Sequence, residues 1–442
     1  MSAIRQEGGD EARSSAALAR GEESDHVAHV DEGPIAVSER PRGRRLVRQV
    51  FQDERPTGEM AKPRSIRLGY SAVAAEAEKA ILDVFRSGQF SPGEKVLEFE
   101  KKFAKLHKAD FGVFVNSGTD ALRIALLSMK EAYGWKDDAE VAVPSLTFPA
   151  TVNVILQANL KPYFVDVSMY DYCLNLENLK RRLETGHKEI VGIIPVHLFG
   201  QSCDPRIFKW AEENGVKVLE DSCETILNPI QGEASCYSTY MAHHVTTGVG
   251  GLALTNDRVL WSLMLSYANH GRHWGYIPGG YKTMTGRELL ERRFRFERIG
   301  YSCRATEFEA ALGLSQLESL DSNVCHRIIL ADQLKRALRD FPDLILPVAR
   351  QSHTWMMFPI VLAEKSKVKK YDFCLYLEKN GIETRDMMPI TNQPCYKNFV
   401  EEDFFSVAKW VNKNGFYISC DPSLRREDVL HIQKVFGGYL TK

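Results

Sequence analysis

The chain has 442 residues, 44% of them hydrophobic and 26% charged, with 57 basic against 58 acidic side chains and a formal net charge of −1. That length supports a sizeable core and more than one folding unit, and the near balance of charge offers no general field for nucleic acid or an anionic membrane. No apolar run approaches the roughly twenty residues that span a bilayer, and the first residues lack the apolar centre of a secretory signal, so a cytoplasmic protein is expected.

Residues 1–64 are rich in Arg, Glu, Ser, Gly and Ala, show neither helical nor strand period, and read as a disordered tail. Its basic cluster Arg40-Pro-Arg-Gly-Arg-Arg-Leu-Val-Arg48 reads as solvated, and Glu7, Asp10, Glu11, Glu22, Glu23 and Asp25 argue against an organelle transit peptide. From Ala72 the spacing of Val73, Ala77, Ala80, Ile81, Val84 and Phe85 predicts a helix ended by Ser87-Gly88. Val96, Phe99, Phe103, Ala104 and Leu106 predict a second, from Lys95 to His107. Strand Gly112-Val-Phe-Val115 then passes through Asn116-Ser117-Gly118-Thr119 into a helix opening at Asp120. Such a turn offers a phosphate free N–H groups and the positive end of the helix dipole, though Ser117 or Thr119 acting only as a cap explains it equally well.

The pattern then alternates. Strands are expected at Val141–Pro144, Tyr163–Asp166, Ile190–Pro195 and Lys217–Asp221, and helices at Phe148–Ile155, Leu176–Thr185 and Pro205–Asn214. This spacing implies a mainly parallel sheet covered on both faces, whose ligands bind beyond the C-terminal strand ends. The Ser117 turn, Ser145 to Phe148, Asp221 to Glu224 and the His243 turn all fall there. In Ser238-Thr-Tyr-Met-Ala-His243-His244-Val-Thr-Thr-Gly248-Val-Gly250-Gly251 two histidines precede a glycine-rich turn, which admits positive φ or close approach of a ligand; a plain tight turn with a structural histidine is the alternative. The strand-like run Leu252–Thr255, helices near Arg258–Tyr267 and Thr306–Leu320, and a long loop from His270 to Tyr301 follow. Helix Asn323–Phe341, strand Met356–Leu362, helix Lys370–Asn380 and a terminal helix from Arg426 read as a small α+β unit. The nine cysteines are scattered without a Cys-x-x-Cys pair, which suits reduced thiols better than disulfides or a zinc site, and no metal site is expected.

From about Tyr70 onward the chain resembles the sugar aminotransferase family of pyridoxal-phosphate enzymes, the DegT/DnrJ/StrS group. The resemblance rests on Phe90-Ser-Pro-Gly-Glu with Glu98-Phe-Glu, Asn116-Ser-Gly-Thr-Asp-Ala-Leu, Pro144-Ser-Leu-Thr-Phe-Pro-Ala-Thr, Pro195-Val-His-Leu-Phe-Gly-Gln, Leu219-Glu-Asp-Ser-Cys-Glu, the Ser238 to Gly251 stretch, Asn269-His-Gly-Arg and Gly300-Tyr-Ser-Cys-Arg-Ala-Thr-Glu. It implies an aspartate aminotransferase-like α/β fold (PLP fold type I), with a large cofactor-binding domain over 65–325 and a small C-terminal α+β domain over 326–442. It also implies a homodimer with shared active sites.

One departure bears on function. Aminotransferases of the family carry a Schiff-base lysine five residues after the serine of this motif, and here that position is His243, which cannot form the imine. Members with this replacement resemble the pyridoxamine-phosphate sugar 3-dehydratases of colitose biosynthesis, in which the histidine is the base. Glu224 and Phe294-Arg-Phe-Glu-Arg-Ile-Gly-Tyr suit that subgroup, whereas Val249 stands where the family commonly has Glu. A related dehydrase holds an iron–sulfur cluster on cysteines of an inserted loop; no cysteine lies between Asn269 and Tyr301, so no cluster is expected.

Carried onto this chain, the resemblance gives Asp221 the pyridinium nitrogen, Phe148 the ring face, and Ser117, Gly118, Thr119 and Ser238 the phosphate. Glu224 joins the cofactor contacts, and Asn269 or Arg272 reaches the phosphate from a neighbouring subunit. A strand-end Asp as cap or core ion pair, and a Phe as ordinary core, remain the plain alternatives. His243 would take a proton so that the C3 hydroxyl leaves a nucleotide-linked 4-keto-6-deoxyhexose, with an amino donor such as glutamate regenerating the pyridoxamine. His244 is the rival base. Another pyridoxamine-phosphate deoxygenation or aminotransferase-like reaction, and a non-catalytic member that binds cofactor or nucleotide sugar, are the competing readings.

Overall fold

The computed structural model describes residues 65–69, 75–184, 190–273, 286–349, 352–388 and 390–441. The tail assigned to 1–64, its basic cluster, Ala72, Val73 and Thr185 lie outside the described residues.

The first part of the chain alternates helices and strands: α1 (Ala75–Ser87), α2 (Glu94–Leu106), β1 (Phe111–Val115), α3 (Gly118–Ala132), β2 (Glu140–Pro144), α4 (Pro149–Gln157), β3 (Lys161–Val165), α5 (Leu176–Glu184), β4 (Ile190–Ile193), α6 (Arg206–Glu213), β5 (Lys217–Asp221), β6 (Ala234–Ser238), β7 (Gly251–Thr255) and α7 (Arg258–Ala268). Its seven strands lie in the order β1-β7-β6-β5-β4-β2-β3. All the pairings are parallel except those of β7, which runs antiparallel to both β1 and β6. β6 is absent from the sequence reading, because Ala234-Ser-Cys-Tyr-Ser is short and lacks a run of branched apolar residues. Val143, Ile193, Leu219 and Ala253 are buried in the sheet, and Leu122, Ala125, Val152 and Ile155 of α3 and α4 are buried with them in one continuous core. The fold is the expected α/β class, with one reversed strand.

Within the span expected to be loop, Gly286–Arg292 forms a short helix, α8. Helices α9 (Glu307–Leu317) and α10 (Leu320–Leu338) follow, the second starting and ending three residues before its expected bounds. Helix α9 opens with Thr306 as N-cap, and Glu307 reaches back to α2. Its carboxylate accepts from the backbone N–H groups of Gly93, Lys95 and Val96 at 2.9 to 3.0 Å, satisfying donors that the first turn of α2 cannot satisfy itself. The closing region contains β8 (Leu344–Ile345), β9 (Met357–Leu362), α11 (Lys370–Lys379), β10 (Arg385–Asp386), α12 (Ser406–Asn414), β11 (Gly415–Ser419) and α13 (Arg426–Leu440). A second, four-stranded sheet in the order β10-β11-β9-β8 buries Phe358, Ile360, Phe416 and Ile418 against Leu334, Phe373 and Phe436.

Candidate active site

Because β1 to β6 run the same way and β7 runs back, one edge of the large sheet gathers the ends of β1, β2, β5 and β6 and the start of β7. At β1 the chain turns through Ser117, whose hydroxyl oxygen accepts from the Asp120 N–H at 3.1 Å and caps α3. Capping uses one of the first-turn N–H groups and does not by itself exclude an anion at the others. Gly118 and Gly251 let the α3 N-terminus sit against β6 and β7. A Cβ on Gly118 would lie 2.9 Å from both the Cys223 thiol sulfur and the Ser238 Cβ, and one on Gly251 would lie 2.5 Å from the Gly118 nitrogen. Ser117, Gly118, Ser238 and Gly251 thus pack so closely that no side chain larger than hydrogen fits at either glycine, and with Thr119 they form the cradle at this edge. Thr119 is half-buried on the first turn.

Asp221 ends β5 and is buried. Its Oδ2 accepts from the Thr151 hydroxyl at 2.8 Å and its Oδ1 from the Cys223 N–H at 3.2 Å. Burial raises its pKa above the ordinary carboxylate value, against the pull of these donors. No cationic side chain forms an ion pair with it among the described residues. Phe148 is not core: as the N-cap of α4 it is 58% exposed, a large aromatic face presented at the end of β2.

His243 is tied to the Asp221 turn through Cys223. Its Nδ1 lies 2.6 Å from the Cys223 carbonyl oxygen, and a carbonyl only accepts, so the neutral ring carries its proton on Nδ1 and keeps Nε2 as the basic nitrogen. Burial pushes its pKa down to about 4. The adjacent His244 is turned to another part of the fold, donating from Nε2 to the Thr354 carbonyl at 3.1 Å. Glu224 is buried one residue beyond Cys223, accepts from the Phe199 N–H at 2.6 Å, and has its carboxyl pushed up to about 7 by burial, with Asp221 adding repulsion.

Asn269 ends α7 and is buried within its own chain, lining a small apolar cavity with Gly93, Phe114 and Arg304; its amide nitrogen and oxygen have no partner among the described residues. It takes no part in the contacts that join Ser117, Asp221 and His243. Val249 is exposed, its carbonyl accepting from the Thr247 hydroxyl at 2.6 Å. The hydroxyls of Thr147 and Thr151 and the carbonyl of Cys223 are missing from the sequence reading of roles. The nearest local signal is the Thr147-Phe-Pro-Ala-Thr151 spacing, which places Thr151 in the first turn of α4, just after the aromatic N-cap.

The sequence matches the DegT/DnrJ/EryC1/StrS aminotransferase family over residues 72–436. It is 28% identical over 360 residues to a GDP-4-keto-6-deoxy-D-mannose 3-dehydratase of Yersinia pseudotuberculosis, covering 77% of this chain and 90% of that protein. It is 27% identical over 351 residues to a GDP-perosamine synthase of Escherichia coli O157:H7, covering 77% and 89%. Among solved structures, E. coli GDP-4-keto-6-deoxy-D-mannose-3-dehydratase with bound hydrated PLP matches with a TM-score of 0.76 at 24% identity, over 85% of this chain and 100% of that one. The chain belongs to the DegT/DnrJ/EryC1/StrS aminotransferase family.

Proposed function

We propose that this chain is a nucleotide-sugar 3-dehydratase that uses pyridoxal or pyridoxamine 5′-phosphate and removes the C3 hydroxyl of a nucleotide-linked 4-keto-6-deoxyhexose, with His243 as the base. One observation carries the reading. The position of the family's Schiff-base lysine holds an imidazole whose Nδ1–H is committed to Cys223, which leaves Nε2 to exchange protons. No lysine occurs anywhere from Ser238 to Gly251.

The residues at the sheet edge fit the cofactor. Asp221 is a buried carboxylate with no ion-pairing cation among the described residues, which suits a protonated ring nitrogen. Phe148 offers the ring face, Glu224 stands beside the same turn, and the cradle of Ser117, Gly118, Thr119 and Ser238 offers N–H and hydroxyl donors to the phosphate. When bound, the cofactor supplies an amine for the sugar's keto group and a ring that takes up electrons.

Burial keeps His243 neutral at pH 7, so Nε2 is free to take a proton. The same burial makes the imidazolium a ready acid, and it returns that proton to the C3 hydroxyl as water leaves. Asp221 balances the charge of the ring nitrogen, and Glu224, titrating near 7, accepts or supplies a proton close by. A homodimer and an amino donor such as glutamate belong to the same reading.

Both named relatives concern GDP-linked sugars, so GDP-4-keto-6-deoxyhexoses come first in the test. The full chain is incubated with pyridoxamine phosphate, glutamate and a panel of nucleotide 4-keto-6-deoxyhexoses while ammonia and a 3-deoxy product are followed. The expected result is both products from the parent and a loss of about 10²- to 10⁴-fold in His243→Ala. An amino sugar as the main product, or a His243→Ala protein as active as its parent, overturns the reading.

A further inference from the structure

We propose that Thr151, backed by Thr147, is a positioning residue that keeps Asp221 ionised and aimed at the crevice; the inference rests on the role for Asp221 given above. Thr151 is the third residue of α4 and is completely buried, as is Thr147. The Thr151 hydroxyl donates to Asp221 Oδ2 at 2.8 Å, and the Thr147 and Thr151 hydroxyl oxygens lie 2.8 Å apart.

A hydroxyl has one proton to give. A carboxylate only accepts, so an ionised Asp221 commits the Thr151 proton to itself, and Thr151 must then accept from Thr147. The two hydroxyls form a directed chain ending on Oδ2, with every link made. The arrangement is selective for the anion, because hydrogen bonds to a charged acceptor are about twice as strong as neutral ones.

The other help to the charged form comes from the Cys223 N–H and thiol and from His197. His197, Cys223, Glu224 and the Cys236 thiol are the titratable groups that face it, and none pairs with it as a fixed cation. Against the desolvation of this site, the Thr151 hydroxyl exerts the strongest opposing pull. Thr151 also spans β4, which lies between β2 and β5 in the sheet, and so ties the first turn of α4 to the end of β5. Phe148 caps that turn, so one hydrogen bond fixes the carboxylate and the aromatic face relative to each other.

The test uses the full chain freed of cofactor, as the parent and as Thr151→Val, Thr151→Ser and Thr147→Val. Unfolding by urea is followed from pH 4 to pH 8, and binding of pyridoxamine phosphate is compared with that of its analogue carrying carbon in place of the ring nitrogen. Thr151→Val is expected to be destabilised more at pH 8, where Asp221 must be charged, than at pH 4. Thr151→Ser should restore the parent profile, and Thr147→Val should show a weaker change of the same sign. Pyridoxamine phosphate should bind Thr151→Val about tenfold more weakly, while the carbon analogue binds parent and variant alike.

A Thr151→Val loss of equal size at every pH, with Thr151→Ser no better, means a packing role and overturns the proposal. If Thr151→Val does not fold, a pH-independent loss in Thr147→Val overturns it in the same way. A pH-dependent loss with no discrimination between the two cofactor forms keeps Thr151 as the guardian of Asp221's charge. That outcome instead refutes the assignment of Asp221 to the ring nitrogen.

Discussion

Gly251 approaches Gly118 so closely that a methyl group on it would lie 2.5 Å from the Gly118 nitrogen and 2.5 Å from the Ser117 carbonyl oxygen. The first atoms of β7 and the first turn of α3 therefore meet backbone to backbone, and this contact shapes the cradle assigned to the phosphate. Gly251→Ala must push rigid backbone apart, at a cost of about 3 kcal/mol, and should weaken pyridoxal phosphate binding at least tenfold. Gly248 makes the contrast: its φ of +82° strains any L side chain, yet nothing lies within 4 Å of its would-be Cβ. Gly248→Ala should lose roughly 1 to 2 kcal/mol from backbone strain alone and retain cofactor affinity. Thermal unfolding with a cofactor titration separates the two.

His243→Lys tests the chemical consequence of the family departure. A lysine there gains an amine that can hold the cofactor covalently, and it loses the imidazole proposed above to relay a proton to the leaving hydroxyl. The variant should keep its cofactor through dialysis after borohydride reduction, and dehydration should fall by about 10²-fold or more. Mass spectrometry of the reduced protein and analysis of the sugar product give the answer. A lysine variant that dehydrates as fast as the parent would remove the imidazole from the mechanism.

Part of this was legible from local pattern, since the strand ends that carry Ser117 and Asp221 are each followed by their own turn residues, whereas Ser238 was placed only by the family resemblance because β6 shows no strand signal. What stayed hidden depends on strand order or direction. The reversal of β7 follows from the 239–250 turn sending the chain straight back beside β6, and twelve irregular residues do not announce a direction. The Thr151 contact with Asp221 requires β4 between β2 and β5, an order set by the whole sheet. Phe148 shows the opposite limit: its composition suggests core, and only its place ahead of the α4 helix leaves it exposed.

Glu224 should leave its mark on stability above neutral pH. Its carboxyl titrates near 4.5 when unfolded and near 7 in place. The folded state therefore holds the extra proton between those values, and the stability it contributes is full below 4.5 and lost as pH rises through 7. Glu224→Gln keeps an oxygen to accept from the Phe199 N–H and removes the charge. The variant should match the parent near pH 4.5 and exceed it at pH 8 by up to roughly 3 kcal/mol, read from urea unfolding at the two values.

On the acid side the sign reverses, and His107 is the clearest case. It is completely buried between α2 and the large sheet, stacked on Phe103 with ring centroids 4.6 Å apart. Nδ1 donates to the Phe103 carbonyl at 2.8 Å and Nε2 accepts from the Leu227 N–H at 3.1 Å, so both nitrogens are used only by the neutral ring. Burial pushes its pKa down from 6.5 to about 4. The unfolded chain thus binds the proton first, and stability should fall as pH drops from 6.5 to 4, by roughly 3 kcal/mol from this group. His243 and His353 are depressed too and steepen the fall, to about 4 and about 3. His107→Gln should be less stable at pH 7, since it loses the stacked ring, but its stability should decline less steeply between pH 6.5 and 4. A slope equal to the parent's would mean that the ring takes its proton without leaving the core.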